Sequence, residues 1–270
     1  MGTIEMNLKD KVVVVTGAGN GMGKACAERF AAEGARVVAA DIEEEAANSV
    51  ARQIGGVGIG VDITAERNVV AVVDLARRTY GDIDLWFSNA GHPGPLGFTA
   101  SNEEWNRLWQ LHVMAHVYAA RALLPTMLAR GSGYLLQTVS SVALSANPVW
   151  GAYSVTKHAS LALGEWLAIN YRRHGVAVSC FCPSGMNTRL LRGAIPVLGE
   201  GVLAAALEPE EVAEIVLRGI EREDFLIVTR PEVLGEAKFR GADREAWIKS
   251  YPDQDLDALV AKARAADSTL

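Results

Sequence analysis

The sequence predicts an α/β fold, a single domain built on a doubly wound parallel sheet of about seven strands flanked by helices. Two observations predict it. From residue 12 to residue 90, short apolar runs rich in β-branched residues alternate with longer segments of helical character, which is typical of βαβ units. A glycine-rich turn also joins the first such run to the first helix. In folds of this kind ligands bind at the carboxyl ends of the strands, so we expect the site residues there.

The individual elements follow from apolar runs and from the glycines and prolines that separate them. The predicted strands are Val12–Thr16, Arg36–Ala40, Val57–Val61, Ile83–Phe87, Gly133–Ser140, Val176–Cys182 and Phe225–Val228. The predicted helices are Lys24–Glu33, Glu43–Ile54, Glu66–Tyr80, Asn102–Arg130, Trp150–His174 and Pro209–Glu221. Pro125 predicts a kink or break in the longest of them. We expect an apolar lid around residues 186–205, although a poorly patterned helix fits that segment equally. A polar, partly helical tail follows over residues 230–270.

Composition limits the classes of partner. The 270 residues are 50% hydrophobic with a formal net charge of -6, so the chain lacks the basic surface that nucleic acid or an anionic membrane requires. No apolar run reaches the ~18 residues that span a bilayer, and residues 1–10 do not resemble a signal peptide. Cys26, Cys180 and Cys182 are an odd set without redox or zinc spacing, so we expect buried, reduced thiols in the cytoplasm. His112 and His116 lack the glutamate of a zinc motif, and we predict no metal site.

The turn after the first strand reads TGAGNGMG over Thr16–Gly23. Its glycines allow the backbone to approach a phosphate closely, and the free amides and dipole at the start of the next helix favour an anion. A plain glycine-rich turn is the alternative, but the strand before it and the helix after it favour a pyrophosphate site. A P-loop is excluded, because Ala18 occupies the position of its first glycine and Ala25 that of its serine or threonine.

Polar side chains are expected at the carboxyl ends of three further strands, namely Asp41, Asp62 with Ile63, and Asn89. Asp41 lies twenty residues beyond Gly21. At this position a carboxylate can accept hydrogen bonds from a ribose diol, and it repels a 2′-phosphate. Neither Asn20 nor Ile42 offers a cation to such a phosphate. The sequence therefore favours NAD over NADP.

A proton-transfer site is predicted on the helix Trp150–His174. Tyr153 and Lys157 are four residues apart, so they share one face of that helix. A phenol with a pKa near ~10 is a poor acid or base at neutral pH, and a nearby ammonium lowers that pKa by favouring the phenolate. Ser140, thirteen residues upstream of Tyr153, can hold a substrate oxygen against the phenol. Taken alone, this spacing also fits an ordinary amphipathic helix turn.

Four blocks in order resemble those of the short-chain dehydrogenase/reductase family: Thr16–Gly23, Asn89–Gly91, Ser140 with Tyr153 and Lys157, and Pro183–Thr188. The resemblance runs from about Leu8 to Val228. It implies a Rossmann-type fold and hydride transfer between a nicotinamide and a substrate carbon. Tyr153 would be the general acid/base, Lys157 would lower its pKa, and Ser140 would orient the substrate oxygen. The NAD-binding residues that the resemblance implies are Gly17, Asn20, Gly21, Met22, Asp41, Asp62, Ile63, Asn89, Tyr153, Lys157, Met186 and Thr188.

The chain departs from the family pattern in three places. His112 aligns with an asparagine that, in the family, supports a water relaying protons to the lysine. Neutral imidazole can also donate and accept, so we expect His112 to keep the relay, the alternative being a weakened or lost one. Ser88 and Ser184 stand in the Asn-Asn-Ala-Gly and Pro-Gly turns, where we expect only local adjustments. His92 is either a substrate contact or a solvated loop residue.

The implied activity is that of an NAD-dependent alcohol dehydrogenase or ketone reductase acting on a small-molecule secondary alcohol of some apolar bulk. The walls expected around that substrate are Leu96, Phe98, Trp150, Met186, Leu190 and Leu191. Two alternatives stay open: an NAD-binding sensor or scaffold without turnover, and an isomerase or epimerase of the extended relatives. The spacing Gly17-x-x-x-Gly21-x-Gly23 favours a dehydrogenase over the latter.

The helix Asn102–Arg130 carries more apolar residues than one core-facing stripe needs: Trp105, Leu108, Trp109, Leu111, Val113 and Val117. An exposed apolar face on a long helix indicates a subunit interface. We therefore expect a homo-oligomer, a tetramer or dimer, unless the helix is buried within one subunit.

Overall fold

The computed structural model describes residues 6–97, 100–193, 195–199, 201–253 and 255–267. Its strands are β1 (Val12–Thr16), β2 (Arg36–Asp41), β3 (Val57–Gly60), β4 (Leu85–Ser88), β5 (Gly133–Thr138), β6 (Val176–Cys182) and β7 (Leu226–Val228). They form one parallel sheet in the order β3-β2-β1-β4-β5-β6-β7. This parallel sheet confirms the predicted fold class. The prediction was possible because strands buried on both faces are rich in Val, Ile and Leu.

Helices cover both faces of the sheet. They are α1 (Gly21–Ala32), α2 (Glu44–Ile54), α3 (Glu66–Tyr80), α4 (Asn102–Trp109), α5 (Ala115–Arg130), α6 (Gly151–Tyr171), α7 (Arg189–Gly193), α8 (Ile195–Leu198), α9 (Gly201–Ala204), α10 (Pro209–Glu221), α11 (Glu232–Ala242), α12 (Arg244–Lys249) and α13 (Leu256–Asp267). Successive strand residues point to opposite faces, so β1 joins two cores. Val13 and Val15 pack with α1 and α10, whereas Val12 and Val14 pack with α3 and α5.

The order of the strands reverses beside β1, which lies between β2 and β4. Connections from β1 to β2 and from β3 to β4 therefore leave the sheet in opposite directions, and a crevice opens beyond the carboxyl end of β1. The glycine turn, Asp41 and Ser88–Asn89 all follow the ends of these strands. The topology thus brings together segments that lie up to about 70 residues apart in sequence, as the pairing of Val15 with Phe87 illustrates.

The long middle helix is interrupted at a position the sequence did not indicate. Of the predicted kink or break at Pro125, the break is wrong, since α5 continues through this residue. The interruption is instead a π-helical turn over Gln110–Met114, between α4 and α5. A π turn disturbs the helical hydrogen-bond ladder, and the Ser160 hydroxyl donates to the carbonyl of His112 at 2.6 Å. The turn is thus stabilised by a neighbouring helix, which no local pattern reveals.

The apolar residues of this middle helix divide between the interior and the surface. Leu108 and Val113 are buried within the chain, so the alternative of burial within one subunit holds for them. Trp109 is 41% exposed. Among the described residues, the most exposed large apolar side chain is that of Ile169 on α6, at 77%, and Trp166 on the same helix is 54% exposed. None of the helices in the described part of the chain is long and apolar enough to cross a bilayer.

Candidate functional site

A cleft of about 1290 Å³ opens at the carboxyl ends of the strands. It exceeds the ~300–1,000 Å³ typical of a small-ligand pocket, so it has room for a dinucleotide and a second molecule. All the side chains assigned to cofactor binding from the sequence line it: Gly17, Asn20, Gly21, Met22, Asp41, Asp62, Ile63, Asn89, Tyr153, Lys157, Met186 and Thr188. The fold therefore gathers this whole set into one continuous site.

The glycine turn packs closely on itself and against Ala90, which follows β4. A Cβ on Gly23 would lie 1.9 Å from the carbonyl oxygen of Gly17, and a Cβ on Gly17 would lie 2.8 Å from the Cα of Ala90. Gly17 also has a φ of +65°, which favours glycine. The side chain of Asn20 makes no capping hydrogen bond at the start of α1. The first amides of α1 are thus open to an anion in the cleft, as a pyrophosphate requires.

Asp41 ties the end of β2 to this turn. Its Oδ2 accepts a hydrogen bond from the amide of Gly19 at 2.8 Å, and its Oδ1 accepts one from the amide of Glu43 at 3.0 Å. Both bonds fix the carboxylate at the rim of the cleft, with the exposed Ile42 beside it. The position offers an acceptor to a diol and a negative charge to any phosphate that approaches.

A hydrogen-bonded chain links the end of β1 to Lys157. The amide of Asn89 donates to Thr16 Oγ1 at 2.9 Å, and its Nδ2 donates to the Thr16 carbonyl at 2.9 Å. The Thr138 hydroxyl donates to Asn89 Oδ1 at 3.2 Å. Lys157 Nζ donates to the Thr138 carbonyl at 2.8 Å. These bonds connect the ends of β1, β4 and β5 to α6. Three of the bonded residues, Asn89, Thr138 and Lys157, also line the cleft.

Ser140 lies at the end of this framework in a strained conformation. Its φ of 123° is one that residues other than glycine rarely adopt, at a cost of about 1–3 kcal/mol. The bond from its amide to the Phe181 carbonyl, at 3.3 Å, helps to hold it there. The result brings its hydroxyl to the phenol of Tyr153, where a side-chain hydrogen bond lowers the pKa of Tyr153 in part. Strain of this kind is common at functional sites.

Burial has a larger effect on the pKa values of Tyr153 and Lys157 than their proximity to each other does. Lys157 Nζ lies 5.6 Å from the centre of the Tyr153 ring. Burial is the largest effect on both groups: it raises the pKa of Tyr153 and lowers the pKa of Lys157 to about 7. In the protein by itself, burial therefore outweighs any lowering of the Tyr153 pKa by Lys157, and the expectation that Lys157 lowers this pKa stays a prediction.

His112 lies behind this pair, fully buried in the π-helical turn. Its ring stands edge-on to that of Tyr153, with 5.5 Å between centroids. Its Nδ1 lies 2.9 Å from Thr156 Oγ1, which is also 2.9 Å from the Ala152 carbonyl. A carbonyl oxygen can only accept, so with the threonine hydrogen directed to it the hydroxyl can accept from His112 Nδ1–H. This arrangement corresponds to the neutral tautomer with a lone pair on Nε2.

The Nε2 lone pair of His112 has no partner among the described residues. It faces Gly91: a Cβ on Gly91 would lie 3.2 Å from this atom and 3.7 Å from Lys157 Nζ. Burial also keeps the pKa of His112 well below its usual value, with the charge of Lys157 acting in the same direction. His112 is therefore a neutral acceptor near the amine, and the absence of a side chain at Gly91 leaves the space between them open.

Comparison with known proteins agrees with this geometry. A family model described as short chain dehydrogenase matches residues 11–196. The chain belongs to this family. Among its relatives, 1-deoxy-11-beta-hydroxypentalenate dehydrogenase of Streptomyces exfoliatus is 33% identical over 236 residues, covering 84% of this chain and 86% of the relative. Meso-2,3-butanediol dehydrogenase of Serratia marcescens is 32% identical, covering 78% and 87%. A short chain dehydrogenase/reductase from Burkholderia phymatum, solved in complex with NAD, is 28% identical with a TM-score of 0.82, covering 93% and 99%.

In this short chain dehydrogenase, four of the six expected apolar walls line the cleft: Leu96, Trp150, Met186 and Leu190. Leu191 does not line it, because this side chain is buried against Gly185 instead. Phe98 lies outside the described residues. The segment expected to form a lid contains α7, α8 and α9, and Leu190, Arg192 and Gly193 of α7 face the cleft. His92, which directly follows Asn89–Gly91, lines the cleft as well.

Sequence reasoning missed several residues of the site. Thr138 could have been found from its position at the end of a strand next to Ser140. Thr156 sits three residues after Tyr153 and holds His112, but nothing in the sequence signals a bond over 44 residues. Val260, on α13, was assigned to a polar tail and lines the cleft. Its contribution depends on the path of the chain rather than on any motif.

Proposed function

We propose that this short chain dehydrogenase is an NAD-dependent oxidoreductase that interconverts a secondary alcohol and a ketone. The observation that carries the proposal is that Tyr153 and Lys157 line the same cleft as the glycine turn and Asp41, with Ser140 hydrogen-bonded to the Tyr153 phenol. A proton-transfer group thus lies along one continuous cleft with a dinucleotide cradle.

Each residue has a distinct part in the reaction. The nicotinamide, when bound, supplies the atom that takes or gives the hydride. Ser140 holds the substrate oxygen by its hydroxyl, and Tyr153 removes the proton from that oxygen during oxidation or returns it during reduction. Lys157 is placed to bind the ribose next to the nicotinamide. It also favours the phenolate whenever it carries a proton.

The preference for NAD rests on Asp41. Its carboxylate is fixed by the amides of Gly19 and Glu43, so it cannot easily turn away from a 2′-phosphate. The solved relative from Burkholderia phymatum was crystallised with NAD, which is consistent with this cofactor. Arg189, on the lid side of the cleft, has its Nη1 3.9 Å from Oε1 of Glu43 and is thus paired with that carboxylate.

The proposed substrate is a secondary alcohol with apolar bulk. Leu96, Trp150, Met186 and Leu190 supply apolar surface beside Tyr153. Two relatives carry names consistent with alcohol substrates of different sizes, a pentalenate derivative and meso-2,3-butanediol. Uniform activity on small polar polyols, with none on apolar ketones, would reject this class of substrate.

Three further properties belong to the proposal. His112 maintains a proton relay behind Lys157, with Thr156 fixing its tautomer. The chain acts as a homo-oligomer, with the exposed apolar side chains of α6 in the interface. We place it in the cytoplasm, because Cys26, Cys180 and Cys182 are buried free thiols that need no oxidising compartment.

The deciding experiment is an assay of the purified protein for NAD and NADP reduction over a panel of alcohols. Tyr153→Phe is expected to lower kcat by about 10²–10⁴-fold with little change in NAD affinity, since only the transferred proton loses its acceptor. Tyr171→Phe, at the other end of α6, is the matched control and should behave as the wild type. Tight NAD binding without any reduction would favour a sensor or scaffold. Full activity in Tyr153→Phe would refute the proposed chemistry.

A further inference from the structure

The C-terminal helix α13 returns to the far end of the cleft. Leu259 packs against Val149 and Trp150, in the same cluster as Leu96 and Tyr153. Val260 lines the cleft, and one of its methyl groups lies 3.3 Å from where a Cβ on Gly97 would stand. The helix also packs against α8 of the segment that follows Met186. It therefore faces the catalytic phenol across the substrate end, away from the glycine turn.

The tail that leads to α13 is fixed to the loop between Ser140 and Tyr153. Arg240 Nη1 donates to the Ala143 carbonyl at 3.0 Å. The Tyr251 hydroxyl donates to the Ala146 carbonyl at 3.2 Å and lies 3.1 Å from the amide of the same residue. These hydrogen bonds attach the tail to a loop about a hundred residues earlier in the sequence. They fix the position of the tail next to the cleft.

The start of α13 is also defined. Asp255 Oδ1 accepts a hydrogen bond from the amide of Ala258 at 2.9 Å, as an N-cap residue does. The cap sets the rotation of the first turn, which turns Leu259 and Val260 inward and leaves Leu256, Asp257 and Ala258 exposed. The polar composition of the tail thus conceals two apolar positions: Val260 lines the cleft, and Leu259 packs beside it in the cluster of Val149 and Trp150.

We propose that Leu259 and Val260 form the outer wall of the alcohol-binding end and determine how large an apolar group the substrate can carry. This rests on the proposed function, because it concerns the substrate of the same site. Leu259 packs in the same cluster as Trp150, Leu96 and Tyr153, so we expect the bulk of the substrate to extend from the carbinol carbon beside Tyr153 toward α13. The class it selects is an aliphatic or alicyclic secondary alcohol, since the wall adds apolar side chains and no charged group.

The test compares substitutions at Leu259 with the same substitutions at Leu256, which is one turn away and 37% exposed. Isopropanol, cyclohexanol and borneol serve as alcohols of increasing size, each assayed with NAD. Leu259→Trp is expected to lower kcat/KM for the largest accepted alcohol by about tenfold or more relative to isopropanol, because a filled pocket rejects bulk. Leu259→Ala is expected to change the ratio in favour of the larger alcohol. The KM for NAD should stay constant, and Leu256→Trp and Leu256→Ala should match the wild type.

Saturation-transfer NMR of the same alcohols with the NAD-loaded protein gives a readout independent of turnover. A signal that is lost in Leu259→Trp but kept in Leu256→Trp supports the wall even if the protein oxidises none of the alcohols. The absence of oxidation would refute the proposed function and would leave the wall standing. Equal behaviour of the Leu259 and Leu256 variants in both measurements overturns the wall and leaves the proposed function intact. Failure of the wild type to bind any of the three alcohols overturns the wall as well.

Discussion

At the scale of single residues, the unusual group is Lys157. Its side chain is 2% exposed, and its amine donates one hydrogen bond to the Thr138 carbonyl. No carboxylate forms a salt bridge with it within the described part of the chain. Burial without a counter-ion lowers the pKa of Lys157 from 10.5 to about 7. The cleft therefore contains an amine whose pKa lies close to physiological pH.

Stability should depend on pH through this residue. Between pH 7 and 10.5 the unfolded chain holds the Lys157 proton and the folded chain does not, so unfolding takes up a proton and rising pH stabilises the fold. A pKa difference of this size corresponds to as much as about 5 kcal/mol. Against Lys157→Met, the wild type should therefore gain unfolding free energy as pH rises from 7 through 9.5, measured by urea denaturation. Parallel pH curves for the two proteins would mean that the folded lysine keeps its proton.

At the scale of elements, local patterns predicted what local physics determines. The strands follow from β-branched runs and α1 from the glycine turn, so the sequence alone was enough to place Asp41 and Asn89 at the ends of strands. The π turn at His112 could not be predicted, because it depends on a bond from Ser160 on another helix. The position of α13 could not be predicted either, since Arg240 and Tyr251 fix it to a loop about a hundred residues away. Contacts between distant segments account for each of these misses.

The π turn leads to a prediction about proton transfer. If His112 supports the relay, Thr156→Val should lower kcat and shift its pH profile, because Thr156 no longer holds the imidazole. We expect a loss of about tenfold, which is smaller than the loss on removing a catalytic acid or base. His112→Ala should have the larger effect, with the KM for the alcohol nearly constant in both variants. Thr79→Val is the control, as Thr79 makes the same kind of bond to a carbonyl four residues earlier, on exposed α3. Unchanged turnover and an unchanged pH profile in His112→Ala would exclude the relay.

At the scale of the whole molecule, the cleft and the exposed apolar surface occupy different regions. Tyr153 and Lys157 of α6 line the cleft, while Val155, Trp166 and Ile169 are 50%, 54% and 77% exposed. At helical spacing these three share one side of α6. Large apolar side chains in such a row are typical of a protein–protein contact rather than of free surface. An interface there would fix α6, and the catalytic pair with it, from the outer side.

This arrangement predicts an oligomer that a charge on α6 disrupts. In a twofold interface each side chain is buried twice, and each buried Ile or Leu contributes about 1.5–3 kcal/mol, so Ile169→Asp should weaken association by several orders of magnitude. Light scattering should give a multiple of 28.9 kDa for the wild type and 28.9 kDa for Ile169→Asp. Val70→Asp, at a 42% exposed position on α3, controls for the added charge and should stay oligomeric. A monomeric wild type, or an Ile169→Asp protein of unchanged mass, would show that this face of α6 is not an interface.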